Sequence, residues 1–234
     1  MIIPSPEYLP QTLDTVNPTL LLALGLGPVG FWLLYFYLKD RSEPEPLRWI
    51  LKIFLLGMLV VLPVAVIEIL AEVVSGTFLM MTVVAPVVEE LGKFAVVYYG
   101  VFRDAEFSEP MDGIIYAVTA ALGFASLENL LYIMQYAGIS LSMGITVGVL
   151  RAILAVPGHA LYSSMWGFAL GVAKFRQGIR RNEIILAGLA LAILLHGLFN
   201  FLILDAFGFV ILIVFLVPAM WWLFGRKVRD AEAR

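Results

Sequence analysis

Apolar residues run almost unbroken along most of this chain, and the polar ones collect between the runs. A helix crossing a bilayer needs about 20 mostly apolar residues. Seven stretches meet that requirement: 19–38, 49–73, 77–101, 111–136, 141–173, 183–204 and 207–224. The fifth is too long for one upright crossing. Pro157-Gly158 near its middle predicts a kink, or a break that would divide it into two and bring the count to eight. The expected fold is therefore an all-α polytopic membrane protein, a bundle of about seven transmembrane helices forming one domain over 1–234. Residues 1–75 hold the two spans without central ionisable groups and read as scaffold. The chemistry-bearing helices fall within 77–204.

Composition agrees with this reading. The chain is 62% hydrophobic and 14% charged, with mean hydropathy +0.96, which excludes a soluble globular domain. There is no cysteine, so no disulfide, thiolate nucleophile or thiolate metal ligand is available. The first apolar run has no Lys or Arg before it, so a cleaved signal peptide is not expected. Nothing in the charge pattern suggests a nucleic-acid partner.

The basic residues set the expected orientation. Lys39, Arg41, Arg48 and Lys52 lie in or beside the first loop, Arg103 in the third, Lys174, Arg176, Arg180 and Arg181 after the fifth span, and Arg226, Lys227, Arg229 and Arg234 in the tail. If the fifth segment crosses once, all these loops share one side. Of the 15 Lys and Arg, only Lys93 and Arg151 are then left inside spans. By the positive-inside rule the N-terminus is outside the cell membrane and the C-terminus cytoplasmic. Glu7, Asp14, Glu68, Glu72 and Asp205 fall to the outer side. Trp49, Trp166, Trp221 and Trp222 read mainly as interface anchors.

What departs from an ordinary bundle is a small set of polar groups at membrane depth, where ionisable side chains are expensive and usually face an interior or a wet cavity. The only two histidines, His159 and His196, sit in long apolar segments. Glu89, Glu90 and Lys93 occupy the third span and Glu128-Asn129 the fourth. Lys93 is three residues from Glu90 and four from Glu89, so on a helix it can neutralise one of the two carboxylates while the other faces a cavity. His196 and Asn200 share a helix face, and either can hydrogen-bond a developing oxyanion. Asp112 stands at a helix start. Interhelical glue explains each group taken alone; two acids side by side and both histidines are harder to explain that way together. Three deep carboxylates face two fixed cations, Lys93 and Arg151. One carboxylate is left to be protonated, to bind a metal, or to act as a base. Gly144-x-x-x-Gly148 and Gly167-x-x-x-Gly171 read as packing motifs.

Taken in order from about residue 84 to 201, Glu89-Glu90-Leu91-Gly92-Lys93, Asp112-Gly113, Gly123-Phe124-Ala125-Ser126-Leu127-Glu128-Asn129, His159 and His196-x-x-x-Asn200 resemble the PrsW family of intramembrane proteases. That family is related to the CaaX-processing and bacteriocin-protection glutamate-dependent membrane proteases. CaaX-type members usually carry Glu-Glu-x-x-x-Arg; here Phe94 stands at the Arg position and Lys93 precedes it, which favours PrsW. The resemblance implies an intramembrane endopeptidase acting on membrane-anchored proteins, with an anti-sigma factor as the family's best-known substrate.

On that reading Glu89 is the general base that activates water, with Glu90 its close competitor, and Lys93 tunes the pair. His159 and His196 orient the water or stabilise the oxyanion, Asn200 supports that anion or fixes His196, and Glu128 is a further acid/base or polar member. A metal-dependent version places Zn²⁺ on His159, His196 and Glu128 and keeps Glu89 as base. Two other classes use the same residue types: a proton-coupled transporter or channel, and a non-catalytic membrane adaptor.

Overall fold

The structure, a computed structural model, describes residues 17–39 and 43–233. Glu7, Asp14, Arg41 and Arg234 of the charge pattern lie outside the described residues. Among those described there is no strand. The helices are α1 (Pro18–Tyr37), α2 (Leu47–Leu59), α3 (Val61–Leu79), α4 (Ala85–Gly100), α5 (Pro110–Ala137), α6 (Leu141–Leu150), α7 (Val156–Lys174), α8 (Ile179–Leu202), α9 (Ala206–Ile211) and α10 (Val217–Glu232).

Six continuous helical stretches are long and apolar enough to cross a membrane. One of them, Leu47–Gly100, has 54 residues. Straight, it would measure about 80 Å, far more than the ~30 Å apolar core of a bilayer. It instead doubles back at Gly76, whose φ of 75° and ψ of 159° are non-helical. Contacts on either side fix the reversal. Lys52 Nζ donates to Gly100 O at 2.9 Å, and a Cβ on Gly92 would meet Val64 at 3.0 Å and Val60 at 3.4 Å. α4 thus runs antiparallel to α2 and α3, so the six stretches of the described residues provide about seven spans.

The fifth segment is one helix. Pro157 does not break it, because the chain widens into a π-helical turn, Arg151–Ala155, just ahead of the proline. The same solution recurs at Met80–Val84 before Pro86 and at Leu212–Leu216 before Pro218. Proline has no N–H, and its ring clashes with the carbonyl four residues back; widening the turn relieves the clash. It also strands a carbonyl, because the π register would direct Met81 O to residue 86 and Ala152 O to residue 157. Neighbouring helices supply the missing donors. Asn200 Nδ2 of α8 reaches Met81 O at 3.0 Å, and Trp32 Nε1 of α1 reaches Ala152 O at 3.0 Å. Inside a bilayer no water can take that role.

α5 is the buried centre. Every residue from Met111 to Ser126 is buried, and α7, packed against it, is nearly as buried, whereas helices such as α2, α3 and α9 turn large apolar residues such as Leu55, Val74 and Phe207 outward. Its start is fixed by a capping box in which Asp112 Oδ2 accepts from Glu109 N at 3.0 Å, so Asp112 is a helix-start residue. Against α7 the backbones nearly touch. A Cβ on Gly113 would collide with Gly167 O, and one on Gly167 with Gly113 O. That approach explains why small residues occupy this seam.

Gly76 is the pivot of the α3–α4 reversal, and a Cβ there would meet nothing within 4 Å. The cost of substituting it is therefore one of backbone conformation alone. Gly76→Ala is expected to destabilise by roughly 1–3 kcal/mol, seen as a lower thermal midpoint in detergent. Gly27→Ala, also in open space but inside α1, should be neutral or stabilising. Equal midpoints for the two variants would remove the pivot role.

Candidate active site

The polar groups of the sequence converge at one point between α4, α5, α7 and α8. At its centre is Lys93, fully buried. Its Nζ stands 2.9 Å from Glu89 Oε2, 2.9 Å from Glu90 Oε1 and 2.9 Å from His159 Nδ1. An ammonium has three protons and no lone pair, so these three contacts saturate it. The Phe124 ring lies 4.3 Å away on another side.

Glu89 and Glu90, adjacent in sequence, point into different surroundings. Glu90 is wholly buried. Besides Lys93 it accepts from Ser163 Oγ at 2.7 Å, Trp166 Nε1 at 2.9 Å and His196 Nδ1 at 3.2 Å. Four donors fill its acceptor positions. Trp166 is thus a buried partner of Glu90, not an interface anchor. Glu89 instead lines a cavity of about 430 Å³, and among the described residues its one hydrogen-bond partner is Lys93.

The partners fix both imidazole tautomers. Lys93 can only donate, so His159 Nδ1 accepts and Nε2 carries the proton, which goes to Glu128 Oε2 at 2.9 Å. Glu128 is held in turn by Arg151 Nη2 at 2.8 Å. Arg151 Nε donates to Asn129 Oδ1 at 3.0 Å, and Asn129 Nδ2 to Gly25 O at 3.0 Å, so this chain of contacts ends on α1. On the other side, Glu90 accepts from His196 Nδ1, which leaves His196 Nε2 as a lone pair 3.9 Å from Glu89 Oε2. Tyr162 stacks on His196 with centroids 4.3 Å apart and an interplanar angle of 12°, which sets the plane of that ring.

Glu89, His159 and His196 each place one ligand atom within 4.8 Å of the other two. His159 Nδ1 is 3.8 Å from Glu89 Oε2. Ligands of a tetrahedral zinc stand somewhat closer, about 3.3 Å apart at bond lengths of ~2.0–2.1 Å, so a small contraction would suffice. Both histidines already give their other ring nitrogen to a carboxylate, His159 to Glu128 and His196 to Glu90. That arrangement accompanies most metal-binding histidines. The donor set therefore fits a divalent ion, provided Lys93 releases His159 Nδ1. Glu128, expected from the sequence as a ligand, instead stands behind His159 as its orienting partner.

Asn200 lines the cavity, but its Nδ2 is given to Met81 O, not to His196. Glu68 also lines it. The sequence pattern places Glu68 with the outer acids, whereas α3 carries it inward. The missed signal is a spacing: Val61, Val64, Ala65 and Glu68 stand at i, i+3, i+4 and i+7, one face of a helix, and all four line the cavity.

A family model described as PrsW family intramembrane metalloprotease matches residues 45–223. Among curated relatives, the Protease PrsW of Geobacillus kaustophilus is 39% identical over 221 residues, 91% of this chain and 92% of that protein. The Protease PrsW of Bacillus subtilis is 32% identical over 216 residues, 91% and 96% of the two chains. That of Oceanobacillus iheyensis is 34% identical over 204 residues, 86% and 91%. No solved structure matches.

The unequal surroundings of the two glutamates separate their roles experimentally. Glu90→Gln removes the charge opposite Lys93 and turns one of the two acceptor oxygens, each of which serves two buried donors, into an NH₂ group, and should cost about 3–5 kcal/mol. Glu89→Gln, at the cavity edge, should cost clearly less. Thermal unfolding of both variants in detergent checks the order, and a more damaging Glu89→Gln would reverse the assignment.

Proposed function

Because the chain belongs to the PrsW family, and so is a multi-pass intramembrane protease, we propose that it cuts membrane-anchored proteins with a water activated by Glu89. The observation that carries this reading is that Glu89, unlike Glu90, faces the cavity. The transporter and adaptor readings give way to the family. A single-span protein, such as an anti-sigma factor, is the proposed substrate class. The proposed setting is the cell membrane, with the N-terminus outside and the C-terminus cytoplasmic. The sorting of Arg48, Lys52, Arg103, Lys174, Arg176, Arg180, Arg181 and Arg226 to one side supports this. The catalytic helices are assigned to 77–204. The scaffold span before Gly76 contributes Val61, Val64, Ala65 and Glu68 to the cavity wall.

In the proposed reaction, the substrate's scissile segment enters the cavity in extended form. A water lies between Glu89 and His196, giving one proton each to a carboxylate oxygen and to the Nε2 lone pair. Glu89 takes a proton from the water as its oxygen bonds to the scissile carbonyl carbon. Asn200, with one N–H on Met81 O, offers its second N–H to the oxygen that gains charge. The C–N bond then breaks, and Glu89 returns the proton to the departing amine. Glu128 and Glu90 hold the two imidazoles in their tautomers throughout. Lys93 keeps Glu89 aimed.

A divalent ion such as Zn²⁺ would be held by Glu89, His159 and His196, and would supply an electrophile that makes a bound water more acidic. Lys93 would then keep only its two carboxylate contacts.

Cleavage of a panel of single-span proteins in liposomes tests this. Glu89→Gln should lower the rate about 10²–10⁴-fold, and Asn200→Leu by a smaller factor. Chelator treatment decides between the two uses of these side chains: loss of cleavage that added Zn²⁺ restores assigns Glu89, His159 and His196 to an ion, and unchanged cleavage leaves Glu89 and His196 to the water alone. Full activity in metal-free protein would eliminate the metal, and full activity in Glu89→Gln would eliminate the mechanism.

A further inference from the structure

Among the described residues, the acids in and behind the cavity wall outnumber the cations that could neutralise them. Glu68, Glu89, Glu90 and Glu128 face Lys93 and Arg151. Lys93 has its three protons on Glu89, Glu90 and His159. Arg151 is committed through Nη2 to Glu128 and through Nε to Asn129, with the guanidinium 4.1 Å from the Tyr132 ring centroid. Glu68 is bonded to neither. Its Oε1 is buried and, among the described residues, has no hydrogen-bond partner. It does not belong to the Glu89, His159 and His196 group that could hold a metal.

Glu68 shares the cavity wall with apolar residues, Val61, Val64 and Ala65 on its own helix and Leu131 and Leu150 elsewhere, while the two cations nearest the cavity are already committed to other carboxylates. An uncompensated carboxylate in such a place is costly. Among the described residues nothing relieves that cost, and a group that does so from the cavity must bring positive charge as well as a hydrogen-bond donor. A backbone N–H or a neutral amide would satisfy one lone pair and leave the charge.

Its height along the bundle is set by the α3–α4 pairing. Gly92 faces Val60 and Val64, so Glu68 stands level with residues near 85. That is about one helical turn, ~5 Å, from Glu89 towards the Gly76 end. An extended substrate advances ~3.3 Å per residue, so a side chain reaching Glu68 belongs to a residue one or two positions from the bond being cut.

We propose that Glu68 is a specificity subsite of the protease, taking a lysine or arginine side chain of the substrate one or two residues from the scissile bond. The proposal rests on the peptidase reading above. The paired charges form a charge-assisted hydrogen bond in a low-dielectric wall. A substrate with an apolar or amide side chain there leaves the carboxylate unpaired, and such vacancies discriminate strongly.

The test separates binding from cleavage. Fluorescent single-span peptides carrying one Lys, scanned through successive positions, or Gln at the same places, are titrated in liposomes against the Glu89→Gln variant. Lys at one or two adjacent positions should bind roughly tenfold or more tighter than Gln. The preference should collapse to near unity in Glu68→Gln/Glu89→Gln. A charge exchange, Glu68→Lys with Glu in the peptide, should restore it, which guards against a variant that merely folds poorly. No Lys preference at any position overturns the proposal, as does a preference that survives Glu68→Gln. It is equally overturned if Glu68 is held neutral, because Gln then replaces it without effect. The same peptides given to the unaltered protein report on cleavage. Failure there counts against the peptidase reading, while the binding ratio still decides Glu68.

Discussion

One buried ammonium organises the centre of this bundle. Lys93 ties two carboxylates of its own helix to an imidazole of α7, and each partner passes the constraint on. Glu90 carries it to Ser163 and Trp166 on α7 and to His196 on α8. His159 carries it to Glu128 on α5, and from there Arg151 and Asn129 take it to Gly25 on α1. In a bilayer, apolar burial does not tell one helix arrangement from another, because lipid tails are as apolar as leucine. A polar chain does, since each broken contact leaves a charge or a lone pair in hydrocarbon. The same contacts that aim the candidate catalytic groups therefore also specify which helices meet.

The prolines contribute a second constraint that is easily mistaken for a defect. Pro86 lies three residues before Glu89 and Pro157 two before His159, each preceded by a π-helical turn. Such turns rotate the next residues around the axis relative to a regular helix. They place the acids and the histidine on the faces where Lys93 meets both. The stranded carbonyls then require donors, and Asn200 and Trp32 provide them. Asn200 thereby couples the position of α8, which carries His196, to that of α4, which carries Glu89.

How much of this is legible in the sequence depends on the properties that lipid hides. The spans are readable because a bilayer demands long apolar runs, and the ionisable groups within them stand out for the same reason. Glu89, Glu90, Lys93, Glu128, His159 and His196 do meet. Which glutamate faces the cavity is not readable, because adjacent positions differ only in direction around the helix, and the neighbours that decide it, Ser163 and Trp166, lie over 70 residues away. Trp166 misleads because an indole suits an interface as well as a buried carboxylate. The place of Glu68 on the cavity wall is not readable, because helices that are apolar on all sides carry no amphipathic stripe to mark an inward face. Only its register with Val61, Val64 and Ala65 distinguishes it. The fold-back at Gly76 is legible as a boundary between two spans, but its conformation is not.

The cavity itself has a consistent polarity of function. Behind it, donors are used up: the three protons of Lys93, the Nε2–H of His159, the Nδ1–H of His196, and the hydroxyl and indole protons on Glu90. In front of it stand mainly acceptors, namely the open oxygen of Glu89, the Nε2 lone pair of His196 and the carboxylate of Glu68, with the second N–H of Asn200 as a donor beside them. A surface of fixed acceptors backed by saturated donors attracts groups that arrive bearing protons or positive charge, whether a water, a divalent ion or a basic side chain. It is poorly suited to relaying protons onward, because each proton of Lys93 is already given to a carboxylate or an imidazole, and a contact is released only to another group that takes its place. Hydrolysis asks for that asymmetry: a water held by acceptors, stripped of a proton at a fixed place, next to a peptide whose position is read by a charge a short distance away.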